Sequence, residues 1–146
     1  MLKGVQHCAL VVGDLERSRW FYGEALGMDE IPRPPNFTFA GAWFRAGGQE
    51  LHLIAAHDTT SPAGWQDPGP SALAGLAAHV ALEVDDLDGA AERIALHGVD
   101  VFAGPMKRGD GVVQFYVRDP DAHLIELFER TGQDQRSAAE RAPVRA

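Results

Sequence analysis

The chain repeats itself. Residues 5–15 read Val-Gln-His-Cys-Ala-Leu-Val-Val-Gly-Asp-Leu, and residues 77–87 read Ala-Ala-His-Val-Ala-Leu-Glu-Val-Asp-Asp-Leu, with His, Ala, Leu, Val, Asp and Leu in register. A duplication constrains the fold because both copies must form the same local unit and bury their apolar faces together. Each copy also sets a histidine early in an apolar stretch. A metal-ligating residue type recurring at matched places points to a site built on the pseudo-symmetry of the halves.

The duplication carries through the elements. Val5 to Val12 is apolar, rich in β-branched residues and ends at Gly13-Asp14, as a buried strand does. Asp14 is a helix N-cap, and Leu15, Ser18, Phe21, Tyr22, Ala25 and Leu26 follow at helical spacing until Gly27 stops them. Short strand character at 28–31, a Pro-rich loop at 32–36 and a strand from Phe37 to Arg45 come next. Gly47-Gly48 turns the chain into a last strand, Glu50 to Ala55. After a Pro-, Gly-, Asp- and Thr-rich linker over 57–71 the pattern restarts. It gives a strand from Leu76 to Val84 and a helix capped by Asp86, with inner face Leu87, Ala90, Ala91, Ile94 and Ala95 and a stop at Gly98. Strands at 99–103 and 112–118 flank a predicted loop at 104–111, and Asp119-Pro120-Asp121 turns into a strand over 124–129. Each half is therefore βαβββ, and the fold class is α+β. One domain is expected over 1–130, with modules over about residues 3–56 and 75–130 and a frayed tail at 131–146.

Aligning the last strands sets His52 opposite Glu126. His7, His79, His52 and Glu126 thus occupy matched first and last strands, a mixed nitrogen and oxygen set suited to a divalent transition metal with open positions. By strand parity His7 shares a face with Val5, Ala9 and Val11, and His79 with Ala77, Ala81 and Glu83. Glu50 shares the face of His52 two residues away and is the alternative fourth ligand.

Bulk properties narrow the partners. With 13 Lys+Arg against 21 Asp+Glu the net charge is −8, which disfavours nucleic acid and anionic membrane surfaces. No apolar run is long enough to span a membrane, and no signal peptide is evident. Cys8 is the single cysteine, so no intrachain disulfide forms and a cytoplasmic location is the default expectation.

These stretches resemble the vicinal oxygen chelate superfamily, the group of glyoxalases, bleomycin-resistance proteins and extradiol dioxygenases. The matching segments are His7 through Asp14-Leu15-Glu16-Arg17-Ser18 with Phe21-Tyr22 and Leu26-Gly27, then Gly48-Gln49-Glu50-Leu51-His52-Leu53. His79 through Asp85-Asp86-Leu87 and Asp119-Pro120-Asp121 with Leu124-Ile125-Glu126-Leu127 complete them, so the similarity covers residues 3–130. The resemblance implies two βαβββ modules curled into a half-barrel around a metal, with ligands His7, His52, His79 and Glu126. It also implies a divalent ion (Zn, Ni, Co, Mn or Fe(II)), a small-molecule substrate and a homodimer. In some relatives the site lies within one chain, and in others it is shared between two. Two positions depart from the pattern. His52 stands where glyoxalases usually carry Glu, and Asp121-Ala122-His123 where the family often has Asp-Gly-Asn.

The resemblance implies a glyoxalase-like lyase or isomerase. It would chelate a small oxygenated substrate and move a proton next to a carbonyl, with Glu126 as ligand and catalytic base. A non-haem iron extradiol dioxygenase using His7, His79 and Glu126 is the alternative. A drug-binding resistance protein without catalysis is the second. Fosfomycin-type chemistry ranks lower, because Lys107-Arg108 is the one basic pair near a predicted loop.

Bland readings stand beside these. A lone histidine on an apolar strand is more often a hydrogen-bonded core residue than a ligand. His57, His97 and His123 read as solvated surface residues, Arg33 as an exposed loop residue with a cover over the substrate opening as the alternative, and Cys8, Phe21 and Tyr22 as core. Of Trp43, Phe44, Phe115 and Tyr116, parity places half on the site face.

Overall fold

A computed structural model describes residues 1–57, 60, 62, 74–75, 77–108 and 110–131. Most of the expected linker and tail lie outside the described residues. The described chain forms β1 (His7–Val12), α1 (Leu15–Arg19) continued by a π-helical segment (Trp20–Ala25), β2 (Glu30–Ile31), β3 (Gly41–Ala46) and β4 (Gln49–Ala55). The second module repeats this with β5 (Val80–Glu83), α2 (Leu87–Leu96), β6 (Ala103–Arg108), β7 (Val112–Arg118) and β8 (Leu124–Arg130). Two four-stranded mixed sheets result, ordered β1-β4-β3-β2 and β5-β8-β7-β6. They remain separate sheets within one chain and do not close into a barrel.

Strand register confirms the duplication at residue level. In β1 and β4 Ala9 pairs with His52, and in β5 and β8 Ala81 pairs with Glu126. Trp43 faces His52 from β3 as Tyr116 faces Glu126 from β7. Both helices start as expected, Asp14 accepting from the Arg17 N–H and Asp86 from the Gly89 N–H.

Several expectations about the elements are corrected. The first helix does not stay α-helical. It widens after Arg19, with Leu26 N–H reaching Phe21 O, as the adjacent Phe21 and Tyr22 both go into the core. β3 begins at Gly41, because Phe37 and Phe39 alternate over a loop stapled by Arg33. β5 begins at Val80, so His79 stands just before it. The stretch 103–108, expected to be mainly loop, is a strand. Its Gly104-Pro105 reads as a breaker, but β6 is a sheet edge with a register shift between Ala103 and Met106, where a missing N–H is tolerated.

One core serves both modules. Val12, Phe44, Leu51 and Leu53 pack with Phe115, Val117, Ile125 and Leu127. Trp43 and Tyr116 lie on the opposite face, which resolves the parity question. Polar ties join the modules: Tyr22 OH donates to Asp119 Oδ2 (2.7 Å), Gly13 N–H to Asp121 Oδ1 (3.0 Å), and Arg93 Nη2 to Glu24 O (2.8 Å). His123, expected at the surface, is buried against Asp119, its Nδ1 lying 2.8 Å from Oδ2. Among the described residues no helix is long and apolar enough to cross a membrane.

Candidate metal centre

The four candidate ligands form two pairs on two sheets. In the second module Glu126 is 1% exposed, and its Oε2 lies 2.9 Å from His79 Nε2. His79 Nδ1 lies 2.7 Å from Ala77 O. A carbonyl can only accept, so Nδ1 carries the proton and the lone pair of the neutral ring sits on Nε2. Nε2 meets the carboxylate oxygen either through a second ring proton, as an ion pair, or through a cation held by both, and the geometry suits both.

The remaining contacts of Glu126 are donors. Tyr116 OH donates to Oε2 (3.2 Å) and Arg108 Nη1 to Oε1 (2.9 Å). Gln114 Nε2 donates to Tyr116 OH (2.9 Å) and completes the network. Burial, and then the Glu126 charge, push the Tyr116 hydroxyl up to about 12.

In the first module three rings stack. His52 lies between Trp43 (3.9 Å between centroids, 2° between planes) and His7 (4.2 Å, 13°). His52 Nε2 donates to Glu50 Oε2 at 2.7 Å, which leaves Nδ1 as its lone pair. Hydrogen bonds from His52 and Gln6 hold the Glu50 carboxyl below its usual range. In-plane lone pairs of parallel rings run side by side, so holding one ion with His7 and His52 requires one ring to turn.

Sequence alignment therefore pairs the residues correctly within each module, while the two pairs do not meet in one chain. Among the described residues no three His, Cys, Asp or Glu side chains are placed to hold a metal together. The donor set still suits a divalent ion chemically, with three imidazoles and one carboxylate. The first-strand residues of this face, His7 and Ala9 on β1 and Ala81 and Glu83 on β5, are exposed on sheet-edge strands. A cleft of about 680 Å³ between the modules is walled by His7 and Glu50 on one side and Ala81 and Glu83 on the other.

Two arginines that the sequence names only as loop residues bear on the site faces. Arg108 Nη1 donates from β6 to Glu126 Oε1 (2.9 Å). Arg33 is half-buried and donates to Phe39 O (2.9 Å) and Gly41 O (3.1 Å), with its guanidinium over the Phe37 and Phe39 rings. Phe37 then meets Trp43 edge to face (5.4 Å), which extends the aromatic wall from His52 toward solvent. The Pro-flanked arginine followed by alternating aromatics was the available signal for it.

The sequence pattern of the Glyoxalase/Bleomycin resistance protein/Dioxygenase superfamily matches residues 4–127. The chain belongs to that superfamily. Within it the chain is glyoxalase-like. It is 34% identical over 142 residues to a lactoylglutathione lyase of Neisseria meningitidis, covering 93% of this chain and 97% of that protein. It is 34% identical over 127 residues to the lactoylglutathione lyase of Salmonella typhimurium, covering 84% and 90%. Among solved structures, a protein assigned to the glyoxalase family from Bacillus anthracis superposes with a TM-score of 0.72 at 31% identity, covering 89% of this chain and 97% of that one. TnmS3, an antibiotic binding protein from Streptomyces, gives 0.68 at 25%, covering 88% and 97%.

Proposed function

We propose that this protein is a metal-dependent glyoxalase-like lyase or isomerase whose site assembles between two copies of the chain. The carrying observation is the split donor set: His7 and His52 on one sheet, Glu126 on the other with His79 just before its edge strand, each pair on a face with exposed edge residues. A homodimer that sets the first module of one copy against the second module of the other would bring four donors together. His7, His52, His79 and Glu126 would hold the ion. When bound, it supplies Lewis-acid polarisation of a substrate carbonyl and stabilises the enediolate charge.

The substrate class follows the lactoylglutathione lyases this chain resembles: the hemithioacetal of an α-oxoaldehyde with a thiol, converted to an α-hydroxyacyl thioester. The reaction moves a proton from the carbon bearing the hydroxyl to the neighbouring carbonyl carbon, while the hydroxyl proton passes from the first oxygen to the second. Besides Glu83, which is paired with Arg130 (2.7 Å), two carboxylates stand on the site faces, Glu50 and Glu126. Arg108 and Tyr116 both donate to Glu126 and fix its orientation, which suits a ligand role. Glu50 is the more exposed of the two and is positioned by His52 Nε2, so Glu50 Oε2 is the better placed to accept the proton. Trp43, Phe37 and Phe39 would shield the apolar end of the substrate.

Thioester formation from methylglyoxal and glutathione, followed by absorbance, tests this reading. Activity that disappears with a chelator and returns with a divalent metal is expected, and no turnover by fully metal-loaded protein contradicts it. Glu50→Gln should lower kcat by about 100-fold with metal retained, whereas Glu126→Gln should lose metal. Activity intact in Glu50→Gln but lost in metal-loaded Glu126→Gln would return the base role to Glu126, as the sequence alone suggested.

The aromatic wall also fits a second reading, a binding module for a flat apolar molecule. Calorimetry on metal-free protein separates the two, since a sequestering protein binds its ligand without the ion.

A further inference from the structure

The carboxylate of Glu126 has two oxygens in different surroundings. Oε2 faces His79 Nε2 at 2.9 Å and takes the Tyr116 hydroxyl at 3.2 Å. Oε1 takes Arg108 Nη1 at 2.9 Å. Arg108 reaches this oxygen from the edge strand β6, crossing β7, where the same Nη1 also lies 3.3 Å from Gln114 Oε1. The guanidinium cannot swing away freely, because Asp110 grips its other side, Oδ1 accepting from Nε (2.8 Å) and Oδ2 from Nη2 (2.9 Å). These bonds use four of the five N–H groups a guanidinium carries. Little capacity remains for a substrate anion.

We propose that Arg108, locked by Asp110, is a positioning residue that restricts Glu126 to ligating a divalent metal through Oε2 alone. The inference rests on the metal-site reading above. A free carboxylate can ligate through one oxygen or both, and the second mode takes up a coordination position. Chelating two neighbouring substrate oxygens needs open positions, and a charge-assisted hydrogen bond from Arg108 keeps Oε1 out of competition for them. The first module has no equivalent, because its last-strand residue is His52, an imidazole with one lone pair.

The test is titration of metal-free, full-length protein with Co²⁺, reading both affinity and the visible spectrum, which reports coordination number. Arg108→Gln is expected to weaken Co²⁺ binding by about 10–100-fold and to shift the spectrum toward higher coordination. Arg108→Lys, which keeps one charged donor, should recover part of both. Asp110→Asn should move both readouts in the same direction by less. Thermal unfolding of the metal-free variants checks that each is folded. If Arg108→Gln does not fold, Asp110→Asn carries the test. Wild-type affinity and spectrum in the folded variants overturn the proposal. Wild-type protein that takes up no Co²⁺ contradicts the metal reading itself, and the proposal with it.

Discussion

Ala122 turns the β7–β8 connection with φ +66°, a left-handed conformation in which Cβ is crowded. Glycine lacks that penalty, so Ala122→Gly should stabilise the fold by about 1 kcal/mol, read as a raised Tm; an unchanged or lowered Tm would contradict it. The departure from Asp-Gly-Asn was legible in the sequence as a turn feature, and the backbone bears that out. The fate of His123 was not legible. Three turn-forming residues precede it, which signals surface, but its ring is buried on Asp119, and Asp119 also holds Tyr22 from the other module. Removing that hydroxyl with Tyr22→Phe takes a donor from a buried carboxylate and should cost about 1–3 kcal/mol in denaturant unfolding. Tyr116 makes a pH prediction. Its folded-state value of about 12 lies above the ordinary 10.0, so the neutral form is favoured in the fold. The stability from that preference is complete below pH 10 and is lost as pH rises toward 12. Tm measured across this window should fall, and Tyr116→Phe should make the fall shallower.

At the scale of elements, periodicity and caps were legible and edges were not. β4, β7 and β8 fall where alternation places them, because each buries one face against the shared core. α2 follows its cap, Asp86 Oδ1 accepting from Gly89 N–H at 2.9 Å. Asp86→Ala should lower stability by about 1 kcal/mol in urea unfolding, with the strands unaffected. β6 was hidden because an edge strand needs neither continuous N–H donors nor a full apolar face, so glycine, proline, lysine and arginine can all stand in it. That miss mattered for the site. Read as loop, Arg108 is a surface charge; on β6 it pairs with Val112, and its side chain reaches diagonally past Gln114 of β7 to Glu126.

For the molecule as a whole, the duplication predicted the candidate site by symmetry, and the structure shows what symmetry alone leaves open. Register makes His52 the true counterpart of Glu126. The core and the ties from Tyr22, Gly13 and Arg93 hold the modules together, while the two donor pairs stay on separate sheets. Residue types and strand parity are local properties and can be read from sequence. Whether one sheet meets its own partner or that of another copy depends on packing between modules, which no periodicity encodes. The most direct measurement is therefore complementation. Neither His7→Ala nor Glu126→Gln protein alone should bind metal stoichiometrically. After the two are mixed, unfolded and refolded together, a site shared between copies is intact once in each mixed dimer. Metal content should then recover to about a quarter of wild type. No recovery in mixed dimers would place all four ligands within one chain, or in no common site, and contradict the shared centre.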